Sequence, residues 1–226
     1  MNPAMTEPVL WIGGWASGLA CWRAELAAIY PGREHRFLDA HSALDNPGSL
    51  EREVGRLPAG GCVAAWSLGS LLLHRALADG FSPACRSLSL SPIFAFCRAD
   101  GPWPKAAIRR MERRLPAERA AVLGEFRTLA FGNTPVTQDM AAAWNAQAGG
   151  YPLATLERGL RALAETEVPP ASVAGRGRHA FLASPRDPLS PSPAPPPDGW
   201  SAYPSGHLPF LEFPAQVAAL LDGSSA

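Results

Sequence analysis

Lysine is almost absent from this chain, because Lys105 is the only lysine among 20 basic residues. A P-loop needs its own lysine directly after a glycine-rich turn, whereas Lys105 follows Gly101-Pro-Trp-Pro. This excludes a P-loop nucleotide-binding protein. The 20 basic residues are matched by 20 acidic ones, so we expect no generally basic surface for nucleic acid.

Long hydrophobic runs and paired metal ligands are also missing. No stretch of 18 apolar residues exists, so no membrane-spanning helix and no membrane partner are predicted. The first residues lack a basic region followed by an apolar run, which predicts a cytoplasmic location. The four cysteines form no C-x-x-C pair, and none of the five histidines has metal-ligand spacing from another histidine or cysteine. No metal site is therefore expected.

Strand-like and helix-like segments alternate in the first half of the chain and again near its end. Strands are predicted at 9–12, 36–38, 62–66, 87–91, 179–183 and 200–203. Helices are predicted at 19–30, after Ser49, at 68–78 and at 214–221. This alternation is typical of an α/β fold, with a mostly parallel sheet and helices on both faces.

The segment between the fourth and fifth predicted strands has a different pattern. It contains no good strand candidate from 105 to 164, and helices are predicted at 105–115, 117–130, 137–148 and 153–164. A proline lies at or near each start, where its missing N–H does no harm. We therefore expect a first part of the core at 1–96, a helical insertion at 97–172 and a second part of the core at 173–226.

Ser67 is the strongest candidate for a catalytic residue. The sequence Ala65-Trp66-Ser67-Leu68-Gly69 lies between a predicted strand and a predicted helix. This small-x-Ser-x-Gly pattern is typical of a nucleophile elbow, in which small residues on either side permit a tight, strained turn. The alternative is an ordinary turn in which Ser67 caps the helix.

A nucleophilic serine needs a base and an acid that orients it, and in this type of fold they follow in the order Ser, acid, His. His207 precedes the last helix, and Asp187 follows a predicted strand. His179 opens a strand, which favours a place at the sheet edge over a role as the base. Asp198 is a rival acid in a proline-rich loop. Backbone N–H donors for an oxyanion are expected from Leu68 and from the loop at 13–16.

Together these residues resemble the α/β-hydrolase superfamily, and within it the pimeloyl-[acyl-carrier protein] methyl ester esterases of biotin synthesis. The similar stretches lie at 14–15, 21–23, 66–69, 90–92, 98–100, 103–104, 126–132, 159–163, 187–191 and 207–210. They run from the first strand to the last helix and include the insertion, which corresponds to the helical lid of the family.

The resemblance implies hydrolysis of a methyl ester on a pimeloyl chain that acyl carrier protein holds. Ser67 would attack, His207 would transfer the proton, and Asp187 would orient His207. The N–H groups of Trp15 and Leu68 would bind the oxyanion, and Trp15, Leu68 and Phe126 would line the substrate pocket. No metal and no organic cofactor are implied.

The chain departs from the family in several places. The oxyanion loop is Gly13-Gly14-Trp15-Ala16 where the family has His-Gly-Trp-Gly, and the early strands are trimmed. The lid arginines that contact the carrier in the family do not align with arginines here. Six arginines lie nearby instead: Arg109, Arg110, Arg113, Arg114, Arg119 and Arg127.

These arginines could dock an acidic carrier in another register, or they could form a solvated helix face. Residues 105–127 include seven basic and three acidic residues, so the segment is locally basic. A general short-chain carboxylesterase without carrier specificity is the main alternative function. An inactive binding protein, an acyltransferase and a haloperoxidase also remain open, because the fold alone does not choose a reaction.

Overall fold

The computed structural model describes residues 7–98, 101–173, 178–190 and 200–223. Within these ranges the sheet has six parallel strands in the order β2-β1-β3-β4-β5-β6. Strands β1 to β6 are Val9–Ile12, His35–Leu38, Cys62–Trp66, Arg86–Leu90, His179–Ala183 and Trp200–Ala202. Every predicted strand is confirmed to within one residue at each end.

The position of each strand in the sheet follows from its composition. Strands β1 and β3 are fully buried, and their continuous apolar sequences suit central strands that are covered on both faces. Strands β2 and β6 lie at the two edges and are only partly buried. His179 is in β5, between β4 and β6, so the prediction that it lies at the sheet edge is wrong.

Nine α-helices are present in the described residues. Helices α1 to α9 are Arg23–Ile29, Ala40–Asp45, Ser49–Gly55, Leu68–Ala78, Lys105–Phe131, Gln138–Gly150, Leu153–Glu165, Pro209–Glu212 and Pro214–Asp222. Helices α1, α8 and α9 pack together, with α9 against β3 and β4, while α2, α3 and α4 form a second group. The short helices α2 and α8 were not predicted. The segment predicted as one helix at 19–30 is a 3-10 turn followed by α1.

Helices α5, α6 and α7 lie between β4 and β5 in the chain and fall within the predicted insertion at 97–172. The two helices predicted on either side of Pro116 are joined in one run, α5, which is kinked at Glu118 (φ −127°, ψ 33°), two residues after the proline. Helix α7 packs its apolar face against α5. None of the helices in the described part of the chain has the length and apolar character to cross a membrane.

Candidate active site

The carboxyl ends of the parallel strands bring the predicted site residues to one edge of the sheet. Ile12 at the end of β1 lies opposite Ala65 in β3, and Trp66 lies opposite Leu90 in β4. The loops after β1, β3 and β4 therefore begin side by side. Ligand sites in open α/β sheets form at this edge.

Ser67 occupies a strained turn between β3 and α4. Its backbone has φ 55° and ψ −121°, a region that non-glycine residues rarely adopt. Gly69 makes the tight turn possible, since a Cβ there would lie 2.4 Å from the Gly13 carbonyl oxygen. The Ser67 side chain makes no capping hydrogen bond with α4. The interpretation of Ser67 as a helix cap is therefore wrong.

Ser67, His207 and Asp187 form a continuous hydrogen-bonded chain. His207 Nε2 lies 3.0 Å from Ser67 Oγ, and His207 Nδ1 lies 2.8 Å and 2.9 Å from the two carboxylate oxygens of Asp187. Asp187 and His207 are buried, and Ser67 is 3% exposed. These distances are within the range over which a base can activate a nucleophile.

The Asp187 carboxylate is fixed by backbone donors as well as by His207. Its Oδ1 accepts hydrogen bonds from the N–H groups of Leu189 (2.9 Å) and Ser190 (3.0 Å). Burial acts to raise the pKa of Asp187, but His207 and these N–H groups outweigh burial and hold the pKa below its usual value. Asp187 is thus an anion that can orient the imidazole. Asp198, the rival acid, lies outside the described residues.

The backbone of His207 is held from two sides. Trp66 Nε1 donates to the His207 carbonyl over 2.7 Å, and Ser91 Oγ donates to the same oxygen over 3.2 Å. The Trp66 and His207 rings also lie 5.2 Å apart. The residue before Ser67 therefore supports His207, which the elbow motif alone did not indicate.

The loop after β1 lies directly against Ser67. A Cβ on Gly14 would be 2.9 Å from the Trp66 ring and 3.1 Å from Ser67 Cβ, so a side chain here would force its neighbours to shift. No hydrogen bond joins the N–H of Trp15 or of Leu68 to another residue in the described ranges. Both N–H groups are thus available at the positions where oxyanion donors were predicted.

The three predicted substrate-pocket residues are all buried, namely Trp15, Leu68 and Phe126. The Trp15 and Phe126 rings meet edge to face with their centroids 4.7 Å apart. Trp15 Nε1 also donates to the carbonyl of Leu156 in α7 over 2.9 Å. The insertion therefore covers the oxyanion loop directly.

His41 was not predicted as a site residue. It is buried in α2, and its Nε2 accepts a hydrogen bond from the N–H of Ala16 over 3.0 Å. A signal was present in the sequence, because the segment directly after β2 must also lie at the carboxyl edge of the sheet. Asp39, whose side chain caps α2, marks the start of that helix.

The six arginines named for carrier contact fall into two groups. Arg114 pairs with Glu118 and Glu125, Arg119 donates to backbone carbonyls at the end of α6, and Arg127 donates to Asn145 in α6. These three hold the insertion together. The other three, Arg109, Arg110 and Arg113, are exposed, and no hydrogen bond or ion pair links them to a described residue.

The described residues contain no group of three or more histidine, cysteine, aspartate or glutamate side chains placed to hold a metal ion. The arrangement that is present is a serine hydroxyl, an imidazole and a carboxylate in one hydrogen-bonded chain, beside two backbone N–H groups. Such a set can carry out acyl transfer from an ester to water.

The chain has the α/β-hydrolase fold. It resembles an α/β-hydrolase enzyme from a Medee basin deep-sea metagenome library, with a TM-score of 0.66 and 13% identity over 99% of this chain and 90% of that chain. An esterase from Exiguobacterium antarcticum is similar with a TM-score of 0.76 and 12% identity, over 96% of this chain and 91% of that one. A bromoperoxidase from Bacillus anthracis gives a TM-score of 0.68 and 13% identity, over 96% and 90% of the two chains. No protein-family model and no curated protein sequence matches the chain.

Proposed function

We propose that this protein is a serine carboxylesterase in which Ser67 is the nucleophile, His207 the base and Asp187 the acid that orients the base. The observation that carries the proposal is the unbroken, buried chain of hydrogen bonds from Ser67 Oγ to the Asp187 carboxylate. The strained backbone of Ser67 supports it further, because such strain is concentrated at functional sites. The esterase from Exiguobacterium antarcticum has a similar fold.

In the proposed reaction Ser67 Oγ attacks the ester carbonyl while His207 Nε2 takes the hydroxyl proton. The N–H groups of Trp15 and Leu68 stabilise the negative oxygen, and His207 returns the proton to the departing alcohol. Water then attacks the acyl-enzyme with the same base, which releases the acid and restores Ser67. Asp187 stabilises the imidazolium that forms twice in each cycle.

Turnover of a nitrophenyl ester tests the chemistry. We expect Ser67→Ala to abolish both the turnover and the labelling by a fluorophosphonate, whereas Ser82→Ala, which changes an exposed serine, leaves both intact. Turnover that persists in Ser67→Ala would contradict the assignment. So would a wild-type protein that is folded but inactive on every ester, which would favour a binding function.

For the substrate, we propose the methyl ester of a pimeloyl chain held on acyl carrier protein. The support is the resemblance along the whole chain, together with the exposed arginines Arg109, Arg110 and Arg113 on α5. An acidic carrier would meet positive charge there, at the helix that also carries Phe126. Surface charges of this kind act mainly on the rate of association.

The carrier proposal is tested by comparing the carrier-bound methyl ester with free monomethyl pimelate. We expect a higher kcat/KM for the carrier form, which falls as salt is added, and a weaker salt dependence for the free ester, which carries a single negative charge. Arg110→Glu should lower kcat/KM for the carrier form alone. Arg52→Glu, a charge reversal at an exposed position on α3, should have no effect.

Growth of a biotin-requiring strain that lacks its own esterase is the corresponding test in cells. We expect this protein to restore growth without biotin and Ser67→Ala to fail. Absence of growth despite soluble protein would contradict the carrier proposal while leaving the esterase chemistry in place.

A general short-chain carboxylesterase is the second candidate. The observation in its favour is that Arg114, Arg119 and Arg127 are engaged inside the insertion, which leaves a smaller basic surface than the sequence suggests. This function predicts similar kcat/KM values for the free and carrier-bound esters. A large preference for the carrier form would exclude it.

A further inference from the structure

His41 is a buried histidine with no role in the proposed reaction. It is 1% exposed, and it lies between the loop after β1 and helix α7. Its Nε2 is 3.0 Å from the N–H of Ala16, while its Nδ1 makes no hydrogen bond of good geometry and the backbone of Thr155 in α7 interacts with the ring only weakly. A buried imidazole that is poorly satisfied on one side requires an explanation.

The direction of the hydrogen bond determines the protonation of His41. A backbone N–H can only donate, so Nε2 must accept and must carry no proton. The imidazole is then neutral with its proton on Nδ1. This protonation places an acceptor in front of the N–H of Ala16.

Ala16 needs this acceptor because its backbone is strained. Its φ is 56°, in the left-handed region that costs a non-glycine residue about 1–2 kcal/mol. The family that the sequence resembles has glycine at this place in the loop. The hydrogen bond from Ala16 to His41 offsets the strain and fixes the peptide that follows Trp15.

Helix α7 closes over both residues. A Cβ on Gly159 would lie 2.5 Å from Trp15 Cδ1 and 2.6 Å from His41 Cε1. The indole N–H of Trp15 also donates a hydrogen bond to the Leu156 carbonyl. Trp15 is therefore held through its side chain by α7 and through its backbone by His41.

We propose that His41 is a positioning residue for the oxyanion hole, which keeps the Trp15 N–H directed at the substrate oxygen by holding the Ala16 N–H. This proposal rests on the proposed esterase function. It assigns no proton transfer to His41, because its ring has no contact with the triad.

The charged groups around His41 bear on its protonation. Asp39 and Asp45 belong to its own helix or its cap, Arg158 faces it from α7, and the Tyr151 ring packs against it with centroids 4.8 Å apart. Burial lowers the pKa of His41 and Arg158 adds to this, whereas the two carboxylates and the backbone of Thr155 oppose it, and the net effect is a lowered pKa. His41 is thus neutral at pH 7. Protonation in acid would set an N–H against the Ala16 N–H and release the loop.

The test compares His41→Gln with His41→Leu. Glutamine places an amide oxygen close to the position of Nε2, so it can accept from Ala16 without titrating, whereas leucine cannot. Since loss of one oxyanion donor costs about 10²–10³ in kcat, we expect misplacement of the donor in His41→Leu to cost about 10- to 100-fold, with little change in KM. His41→Gln should recover most of this loss. His74→Gln, a change of a buried histidine with other partners, should leave kcat unchanged.

Two further measurements separate positioning from stability. A trifluoromethyl ketone forms an oxyanion adduct with the serine, and its affinity should fall in His41→Leu in parallel with kcat/KM. As the pH is lowered, kcat/KM should fall more steeply in the wild type than in His41→Gln, because only in the wild type can the residue that holds the Ala16 N–H become protonated. If His41→Leu does not fold, the glutamine variant alone still decides through this profile.

The outcomes distinguish this proposal from the function on which it rests. Ser67-dependent turnover that is equal in the wild type and His41→Leu would overturn the role of His41 and leave the esterase intact. Equal losses of kcat in the leucine and glutamine variants, in step with their melting temperatures, would also overturn it, since they indicate a structural role. A wild type without Ser67-dependent turnover would overturn both.

Discussion

Acidification from pH 7 to pH 5 should destabilise this fold by about 4 kcal/mol through two buried histidines, His74 in α4 and His179 in β5. The two rings lie 5.5 Å apart and share the hydroxyl of Ser89, which is 2.8 Å from His74 Nε2 and 3.1 Å from His179 Nε2. Neither histidine belongs to the triad. The effect should therefore appear in stability and not in the chemistry.

One arrangement of protons satisfies this network. His74 Nδ1 donates to the Ile93 carbonyl over 2.8 Å, so His74 Nε2 accepts from the Ser89 hydroxyl. The Ser89 oxygen then accepts from His179 Nε2, and His179 Nδ1 accepts from the hydroxyl of Ser87. Each imidazole carries a single proton in this arrangement. A second proton on either ring would remove an acceptor.

The sign and the size follow from the two pKa values. Burial lowers the pKa of His74 to about 3, with a contribution from His179, and lowers the pKa of His179 to about 4. In the unfolded chain both histidines have a pKa near 6.5. On acidification the unfolded state therefore takes up protons first, and the free energy of unfolding decreases as the pH falls below about 6.5. At pH 5, about 1.5 units lower, each histidine costs about 2 kcal/mol, at 1.36 kcal/mol for each unit.

Urea denaturation at several pH values between 7 and 5 measures this loss. His74→Gln removes one of the two titrating groups, so we expect its loss of stability over the same range to be about 2 kcal/mol, whatever its stability at pH 7. The catalytic variant Ser67→Ala should keep the full dependence. The reasoning would be refuted by a wild type whose unfolding free energy is the same at pH 7 and pH 5, or by a His74→Gln variant with an unchanged dependence.

Three further predictions concern the active site. Asp187→Asn should lower kcat by about 10⁴-fold, as the loss of the acid does in other Ser-His-Asp triads, with native circular dichroism as the check on folding. Trp66→Phe removes one donor to the His207 carbonyl, and a hydrogen bond worth about 0.5–1.5 kcal/mol should cost about two- to twelvefold in kcat. An unchanged kcat would contradict a role for this donor. Gly69→Ala places a Cβ 2.4 Å from a carbonyl oxygen and should lower the unfolding free energy by about 1–3 kcal/mol or more, whereas Gly124→Ala, which has open space in α5, should raise it by up to about 1 kcal/mol.

The elements that the sequence missed are short and are stabilised by distant contacts. Helix α2 has six residues and α8 has four, too few to show a helical period. The Asp39 cap of α2 was visible in the sequence, but α2 is held by packing against α7, which lies more than 100 residues further along the chain. The interior position of His179 was likewise hidden, because a strand does not reveal how many others will flank it.

By itself the sequence determined the strands, the elbow at Ser67 and the order of the three triad residues. These features depend on local chemistry: apolar runs form central strands, small residues permit a tight turn, and prolines begin helices. Only the tertiary structure decided which polar groups meet. Ser67 and His207 are 140 residues apart in sequence, and Ala16 and His41 are 25 apart, so no local pattern encodes their contact. The same holds for the arginines, because composition gives only their total charge. The tertiary structure shows that three of them make ion pairs or hydrogen bonds within the insertion, namely Arg114, Arg119 and Arg127. The other three are exposed, namely Arg109, Arg110 and Arg113.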